Sequence, residues 1–285
     1  VIRYPGSKAK IAKAIMRHFP SEVMDALWQR DIDYREPFFG GGAVGLALLE
    51  RLPSRARIWI NDKDWGVAAL WKSVREQPEE LVALVERFQP SVETFHRYKE
   101  EDGRTDLDHV QSGFRKLVLH QTSWGGLGSM AGGPLGGRNQ SSEYNVQCRW
   151  RAARHVLDIR ENSRLLNRFS SVRVTSADFS ELISEAPATA FIYADPPYYE
   201  KGGELYRHSM TDEDHRRLSA LLHTCRAPWV LSYDDAPFVR DLYGWASISS
   251  VELTYTVAIA KQRRRKNSEL IIAPAAERGR REATA

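Results

Sequence analysis

"EPFFGGGAVGLALLERLPSRARIWINDKD", residues 36–64, is the stretch on which the fold turns. Gly40, Gly42 and Gly45 satisfy G-x-G-x-x-G directly ahead of an apolar helical run at 43–52, which leads into the short strand "RIWI" at 57–60. Glycines at such a corner let the backbone turn sharply and let a ligand approach the start of the helix. Twenty residues after Gly42 stands Asp62, at the end of that strand, where a carboxylate accepts hydrogen bonds from both hydroxyls of a ribose. A helix cap in "NDKD" is the competing role for this side chain, and the two are compatible. Glycine loop and acid together point to a nucleoside-containing cofactor.

Outward from this unit, strands alternate with helices. "DWGVAALWKSV" (64–74) reads as a helix, "VRVT" (172–175), "AFIYA" (190–194) and "PWVLSY" (228–233) as strands. "TDEDHRRLSALLHTC" (211–225) is a helix with Thr211 placed to cap it and three acids facing the positive end of its dipole. The alternation predicts a layered α/β architecture. Before the glycine loop stands "DIDYREP", which is not Val/Ile-rich and places Pro37 in the way, so the strand expected ahead of a nicotinamide dinucleotide loop is missing. "YPGSK" (4–8) lacks the Walker A spacing. S-adenosyl-L-methionine remains, with the glycine loop cradling its methionine part and Asp62 its sugar.

The chain of 285 residues, 42% apolar and 27% charged, has the composition of a soluble globular protein: one domain plus an elaboration, or two small domains. No apolar run reaches the roughly 18–20 residues that span a bilayer. The first ten residues carry charge from Arg3 onward and lack the apolar stretch of a secretory signal, which predicts a cytoplasmic protein. Cys148 and Cys225 form no CxxC or Cys/His cluster, so neither a metal site nor a disulfide framework is indicated.

The net charge of +4 permits an anionic partner without demanding one. "KQRRRK" (261–266) puts five cations in six positions between "LTYTVAIA" and "ELIIAP", two apolar runs that read as strands. That hairpin tip is either a solubilising turn or a phosphate contact. The middle, about 76–164, opens with amphipathic stretches such as "PEELVALVERF" and enters "WGGLGSMAGGPLGGRNQ" (124–140), where seven of the first fourteen residues are glycine. Glycine supplies no side chain to bury, so a long mobile loop is expected here, either a floppy insertion or a segment that orders on its ligand. Residues 276–285 read as a disordered tail.

"FIYADPPYYE" (191–200) ends a buried strand with a carboxylate, a rigid corner and two aromatic rings. An exocyclic amine such as that of adenine is a poor nucleophile because its lone pair is delocalised into the ring. Two acceptors aimed at its hydrogens, the Asp195 carboxylate and the Pro196 carbonyl, would stabilise the positive charge that develops on nitrogen during attack on a sulfonium methyl. Tyr198 would stack on the base and hold it in line. Asp-Pro-Pro is also a turn signal, and tyrosines after a strand are often core.

"RYPGSK", "EPFFGGGAVG", "ND" at 61–62, "SADF" at 176–179 and "DPPYY", in this order from Arg3 to about Ile272, resemble the Dam-type family of DNA adenine methyltransferases. The resemblance implies a Rossmann-like seven-stranded sheet with helices on both faces, closed by an antiparallel hairpin around 251–259 and 268–273. It divides the chain into a catalytic domain (1–75 and 165–275) and a small, mainly helical inserted target-recognition region (76–164). It implies cofactor contacts from Tyr4, Gly6, Lys8, Phe39, Gly40, Gly42 and Asp62, adenine contacts from Asp178 and Phe179, and the transfer site at Asp195, Pro196, Pro197 and Tyr198. "GGRNQSSEYNVQCRW" resembles a DNA-contacting segment and makes Arg138, Asn139, Tyr144 and Asn145 candidates, although Gln147-Cys148-Arg149 departs from the Pro-Phe-Gly common there. Arg263, Arg264, Arg265 and Lys266 fall in a late loop beside the active site.

The substrate implied is double-stranded DNA, with the target base flipped out at a cost of about a few kcal/mol. No metal and no protein partner is called for. A 5-methylcytosine enzyme is excluded by the lack of a Pro-Cys pair, and a protein-glutamine methyltransferase usually has Asn where Asp195 stands. N4-cytosine methylation and a catalytically silent DNA-binding module remain as alternatives.

Overall fold

The computed structural model describes residues 8, 12–19, 21, 25, 32–141, 143–200, 202–205, 207–253 and 267–275. Within them β1 (Asp33–Glu36), β2 (Arg57–Asn61), β3 (Ser171–Thr175), β4 (Ala190–Ala194), β5 (Trp229–Asp234), β6 (Ser247–Leu253) and β7 (Asn267–Ala273) form one sheet in the order β3-β2-β1-β4-β5-β7-β6. The first five are parallel, and β7 runs antiparallel to both β5 and β6. The order reverses between β1 and β4, and the crevice outside the carboxyl ends of those strands is where open α/β sheets bind ligands. This is the Rossmann-like, seven-stranded methyltransferase architecture expected.

One expectation is overturned. "DIDYREP" does contain the strand ahead of the glycine loop: β1 is central, and all four of its residues are buried. Its polar side chains satisfy one another. Arg35 donates to Asp33 (3.1 Å) and to the Leu182 carbonyl (2.9 Å), and the Tyr34 hydroxyl donates to Glu36 (2.5 Å). Pro37 follows the last strand residue, where its missing N–H breaks no ladder bond.

On one face of the sheet, α1 (Ala12–Arg17), α2 (Ala43–Leu49), α3 (Trp65–Glu76), α4 (Pro78–Arg87), α5 (Val92–Glu100), α6 (His109–Thr122) and α7 (Ala152–Asn167) share a continuous apolar cluster with Tyr34, Ile58, Ile60, Phe191, Tyr193 and Val230. Leu81, Phe95, Leu117 and Ile159, from the inserted stretch, are part of this same cluster. The contact between α3 and α6 depends on Gly113, where a Cβ would lie 2.5 Å from the Leu70 Cα. On the other face, α8 (Phe179–Ser184), α10 (Asp212–Thr224) and α11 (Pro237–Leu242) cover Ala190, Ile192, Leu231, Leu270 and Ile272; a short α9 (Gly202–Leu205) follows β4. Burial of each large side chain here contributes on the order of 1.5–3 kcal/mol.

Alternation of side chains across each strand then sorts the polar groups. Tyr34 and Glu36, Ile58 and Ile60, Phe191 and Tyr193 point to the first face, and continuing the same parity brings Asp62 and Asp195 to it just beyond β2 and β4. Ser232, after Val230, and Glu269, before Ile271, join them because antiparallel β7 begins at the end where β5 finishes.

The glycine-rich segment is not the shapeless loop expected. Ser123 and Pro134 form an antiparallel bridge, Leu135 N–H donates to the Thr122 carbonyl (2.8 Å), and two short 3-10 turns, Trp124–Gly126 and Gly128–Met130, lie between. Ala131, Leu135 and Val146 are buried. Gln140 staples the turns, donating to the Leu135 carbonyl (3.0 Å) and accepting from Val146 N–H (2.7 Å). The glycines serve as turn-makers: Gly125, Gly126, Gly128, Gly136 and Gly137 all have positive φ.

Candidate active site

A cavity of about 310 Å³ opens at the switch point, lined at one end by Asp62, Lys63 and Asp64, in the middle by the glycine loop and Phe38, Asp178 and Phe179, and at the other end by Glu36, Lys8, Asp195 and Pro197. Its size suits a nucleoside-sized ligand.

The glycine loop is fixed from beneath. Gly40 N–H donates to Asp62 Oδ2 (2.8 Å), Trp71 Nε1 donates to the Gly40 carbonyl (2.8 Å), and Phe39 lies edge-on to Trp71 at 4.9 Å between ring centres. Gly42 has φ +69°, and a Cβ there would press within 2.8 Å of the Phe39 ring. Asn61 ties the loop to its neighbour, donating to the carbonyls of Pro37 (3.0 Å) and Ala177 (3.1 Å) and accepting from Ala177 N–H (2.7 Å).

Asp62 does not cap the following helix. Asp64 does so, accepting from Gly66 and Val67 N–H, while Asp62 accepts from Gly40 and from Asp64 N–H (2.9 Å). Burial and the neighbouring Asp64 carboxylate push the Asp62 pKa up to about 7, against the pull of those two N–H groups and of Lys116. A carboxylate offers about four acceptor positions, so two remain for ribose hydroxyls.

Two aromatic side chains line the cavity beside the glycine loop. Phe38 and Phe179 lie 5.5 Å apart. Asp178 caps α8 through Ser180 N–H (3.0 Å) and holds Arg217 (3.0 Å), whose guanidinium sits 4.5 Å over the Phe179 ring.

At the far end Lys8, 1% exposed, is clasped by two carboxylates: it bonds Asp195 Oδ1 and lies 2.7 Å from Glu269 Oε1. Ser232 donates to Asp195 Oδ1 (3.2 Å) and Tyr193 hydrogen-bonds Ser232 (2.8 Å). Asp195 lines the cavity, and among the described residues its Oδ2 accepts no hydrogen bond. Burial opposes charge on Lys8, yet the adjoining carboxylates outweigh it and hold its pKa well above the ordinary lysine value. Burial raises the Glu269 pKa, which Lys8 and the Tyr198 hydroxyl pull back. Tyr198 donates to Glu269 Oε1 (2.6 Å), and its ring centre is 5.0 Å from Lys8 Nζ. Pro196 is buried between Asp195 and Pro197.

A second buried lysine lies behind Asp64, which lines the cavity. Lys116 meets Asp64 at 2.5 Å and Asp102 at 3.1 Å, and Asp102 also takes Arg207 (3.0 Å) and Ser129. Burial opposes ionisation of Asp102, but these partners hold its pKa below the usual value. His120 lies alongside, its pKa lowered to about 4 by burial and by Lys116; its Nδ1–H donates to the Gly126 carbonyl (2.8 Å).

The structure thus gathers Lys8, Phe39, Gly40, Gly42, Asp62, Asp178, Phe179, Asp195 and Pro197 around one cavity, with Tyr198 anchored behind. Arg138, Asn139 and Tyr144 stand exposed on the glycine-rich segment, and Asn145, half-buried, accepts from Gln147 N–H (3.0 Å). Tyr4, Gly6, Arg263, Arg264, Arg265, Lys266, most of the first strand of the late hairpin and the 276–285 tail lie outside the described residues. Sequence reading missed Phe38, Asn61, Lys116, Arg207, Ser232, Glu269 and the exposed Trp124. For Ser232 and Glu269 the signal was present: polar residues within otherwise apolar strand runs.

A family model described as D12 class N6 adenine-specific DNA methyltransferase matches residues 4–257. The Type II methyltransferase M1.LlaDCHI of Lactococcus lactis subsp. cremoris is 26% identical over 253 residues, covering 83% of this chain and 84% of its own. The Type II methyltransferase M.MjaIII of Methanocaldococcus jannaschii is 24% identical over 208 residues, covering 69% and 68%. A solved structure, the precorrin 8W decarboxylase of Methanobacterium thermoautotrophicum, is 12% identical with a TM-score of 0.36 over 93% of this chain and 90% of its own, a likeness too weak to bear on the fold.

Proposed function

This chain belongs to the D12 class of N6 adenine-specific DNA methyltransferases, S-adenosylmethionine-dependent enzymes that methylate adenine in DNA, and we propose that Asp195, Pro196 and Tyr198 carry the transfer at the far end of the cavity. The observation that supports this most is the position of Asp195: it follows β4 at the switch point, lines the cavity, and is fixed through Oδ1 by Lys8 and Ser232.

The lining has the chemistry S-adenosylmethionine requires: aromatic faces at Phe38 and Phe179 for adenine, Asp62 for the ribose, and carboxylates toward the cationic end. When bound, this cofactor supplies an electrophilic methyl, and the new C–N bond forms as the C–S bond breaks with its electron pair left on sulfur. Asp195 Oδ2 and the Pro196 carbonyl accept the two hydrogens of the target amine, aim its lone pair, and stabilise the charge that grows on nitrogen. The surplus amine proton leaves toward Asp195. The anchored Tyr198 ring supplies the stacking face for the base.

The substrate is read as duplex DNA, approached by the turn segment that displays Trp124, 65% exposed, and Tyr144, 69% exposed, beside Arg138 and Asn139. Exposed rings flanked by a cation are suited to stacking and phosphate contact. Residues 76–164 are assigned to target recognition, and the remainder of the described chain to catalysis. No helix among the described residues is long and apolar enough to cross a membrane.

The test is transfer of labelled methyl to unmethylated duplex DNA with the modified bases mapped. Wild type should give N6-methyladenine. Asp195→Ala should lose about a thousandfold or more in rate while keeping most DNA affinity; an active Asp195→Ala variant would refute the assignment.

A further inference from the structure

Lys8 poses an electrostatic problem. It is a buried cation fixed at the end of the cavity where, on the reading above, a sulfonium is bound and positive charge grows on the target amine. Its bond to Asp195 orients the carboxylate but cancels that carboxylate's charge, so the pair adds no net charge at an end where burial holds the other lining carboxyl, Glu36, toward its neutral form. At low effective dielectric such a cancellation is felt strongly.

Glu269 removes the problem. It is 3% exposed, does not line the cavity, and lies 2.7 Å from Lys8. It sits on β7 directly opposite Asp234 of β5, so the sheet register and not a flexible loop sets its position. Nothing in apolar packing calls for a carboxylate there, since its alternate neighbour Ile271 faces the same apolar cluster. Resting on the functional reading above, we infer that Glu269 is a positioning residue for methyl transfer: it neutralises Lys8, so that the Lys8–Asp195–Glu269 cluster keeps Asp195 fixed yet faces the cavity with one net negative charge.

A competing role, orientation of Tyr198 through its hydroxyl, makes a different prediction. Glu269→Gln keeps an acceptor for Tyr198 but loses the charge; Tyr198→Phe loses the hydrogen bond but keeps the charge; Glu269→Asp keeps both chemistries on a shorter stem.

The experiment measures calorimetric affinities for S-adenosylmethionine, a sulfonium, and S-adenosylhomocysteine, a neutral thioether, together with single-turnover methylation of duplex DNA. For Glu269→Gln, the preference for the sulfonium over the thioether should fall about fivefold or more, as expected from loss of one nearby charge. The single-turnover rate should fall about ten- to a hundredfold. Tyr198→Phe and Glu269→Asp should keep the preference. Lys8→Met combined with Glu269→Gln restores the net negative charge and should react faster than Glu269→Gln alone, a non-additivity that a purely structural role would not produce.

An unchanged preference and rate in Glu269→Gln would overturn the inference, as would a Tyr198→Phe variant that reproduces both losses. If wild type methylates no adenine, the functional reading fails instead, and the sulfonium preference still judges Glu269 by binding alone.

Discussion

Two buried lysines each bridge two carboxylates, Lys8 in the cavity wall and Lys116 behind Asp64, which lines it. Lys8 joins Asp195 to Glu269; Lys116 joins Asp64 to Asp102. The side chains around Lys116 are closed in, Asp64 at 11% and Asp102 at 7% exposure, and a second cation, Arg207, completes the charge balance. Around Lys8, Asp195 is 24% exposed, opens on the cavity, and no second cation among the described residues faces the cluster. The same arrangement therefore does different work. Balanced and sealed, it pins together the helix-capping turn of α3, the 101–108 turn, the 123–151 segment and the chain after β4. Unbalanced and open, it is the cluster we propose sets the field at the transfer site.

The sharpest way to break this comparison is to remove each lysine's charge. Lys116→Met should cost about 3–5 kcal/mol of unfolding free energy, because two sealed carboxylates lose their partner. Lys8→Met should cost less, since Asp195 can be hydrated from the cavity, while its single-turnover rate falls more than about tenfold. Urea unfolding and single-turnover methylation at saturating cofactor check both; a Lys116 variant that is stable but inactive would abolish the distinction.

A medium effect is expected from pH at the Asp62 end. Asp62, with its pKa raised to about 7, is charged only above that value. A raised carboxyl contributes stability that is full below about 4, its unfolded value, and is lost as pH rises through about 7. Cofactor affinity runs the other way, because ribose hydroxyls donate to the ionised form. The dissociation constant should fall between pH 6 and 8, by at most about tenfold per unit, with proton release visible by calorimetry in buffers of different ionisation enthalpy. Asp62→Asn should flatten the dependence.

The smallest effect should follow Arg207→Ala. This guanidinium is 36% exposed, lines the cavity and grips Asp102 at 3.0 Å. A partly solvated pair contributes little, so cofactor affinity should weaken by at most about fivefold. A much larger loss would make Arg207 a ligand contact and not a latch.

How much of this was legible in the sequence varies with the physics of each part. Strands β2, β3, β4 and β5 were legible because apolar runs bounded by polar turns have few other fates. Strand β1 was not: Asp33, Tyr34, Arg35 and Glu36 look solvent-exposed until each is seen to pair with a neighbour across or along the sheet. The turn segment at 123–151 was misjudged because glycine content measures lost side chains, whereas its order comes from backbone bridges and from Gln140. Lys8 was legible only as a member of a motif; its embrace of a carboxylate 187 positions away was not.

The sequence alone determined the parallel α/β plan, the glycine corner, the acid after β2 and the carboxylate-proline corner after β4, because these follow from local periodicity, turn chemistry and spacing along one chain. The tertiary structure alone decided which charges meet. Glu269 reaches Lys8 only because an antiparallel strand begins where a parallel one ends, and Asp64 reaches Lys116 across the helix contact that Gly113 permits. Ion pairs over such separations are set by where the sheet and helices bring distant residues, and no pattern in the residues adjacent to either partner records them.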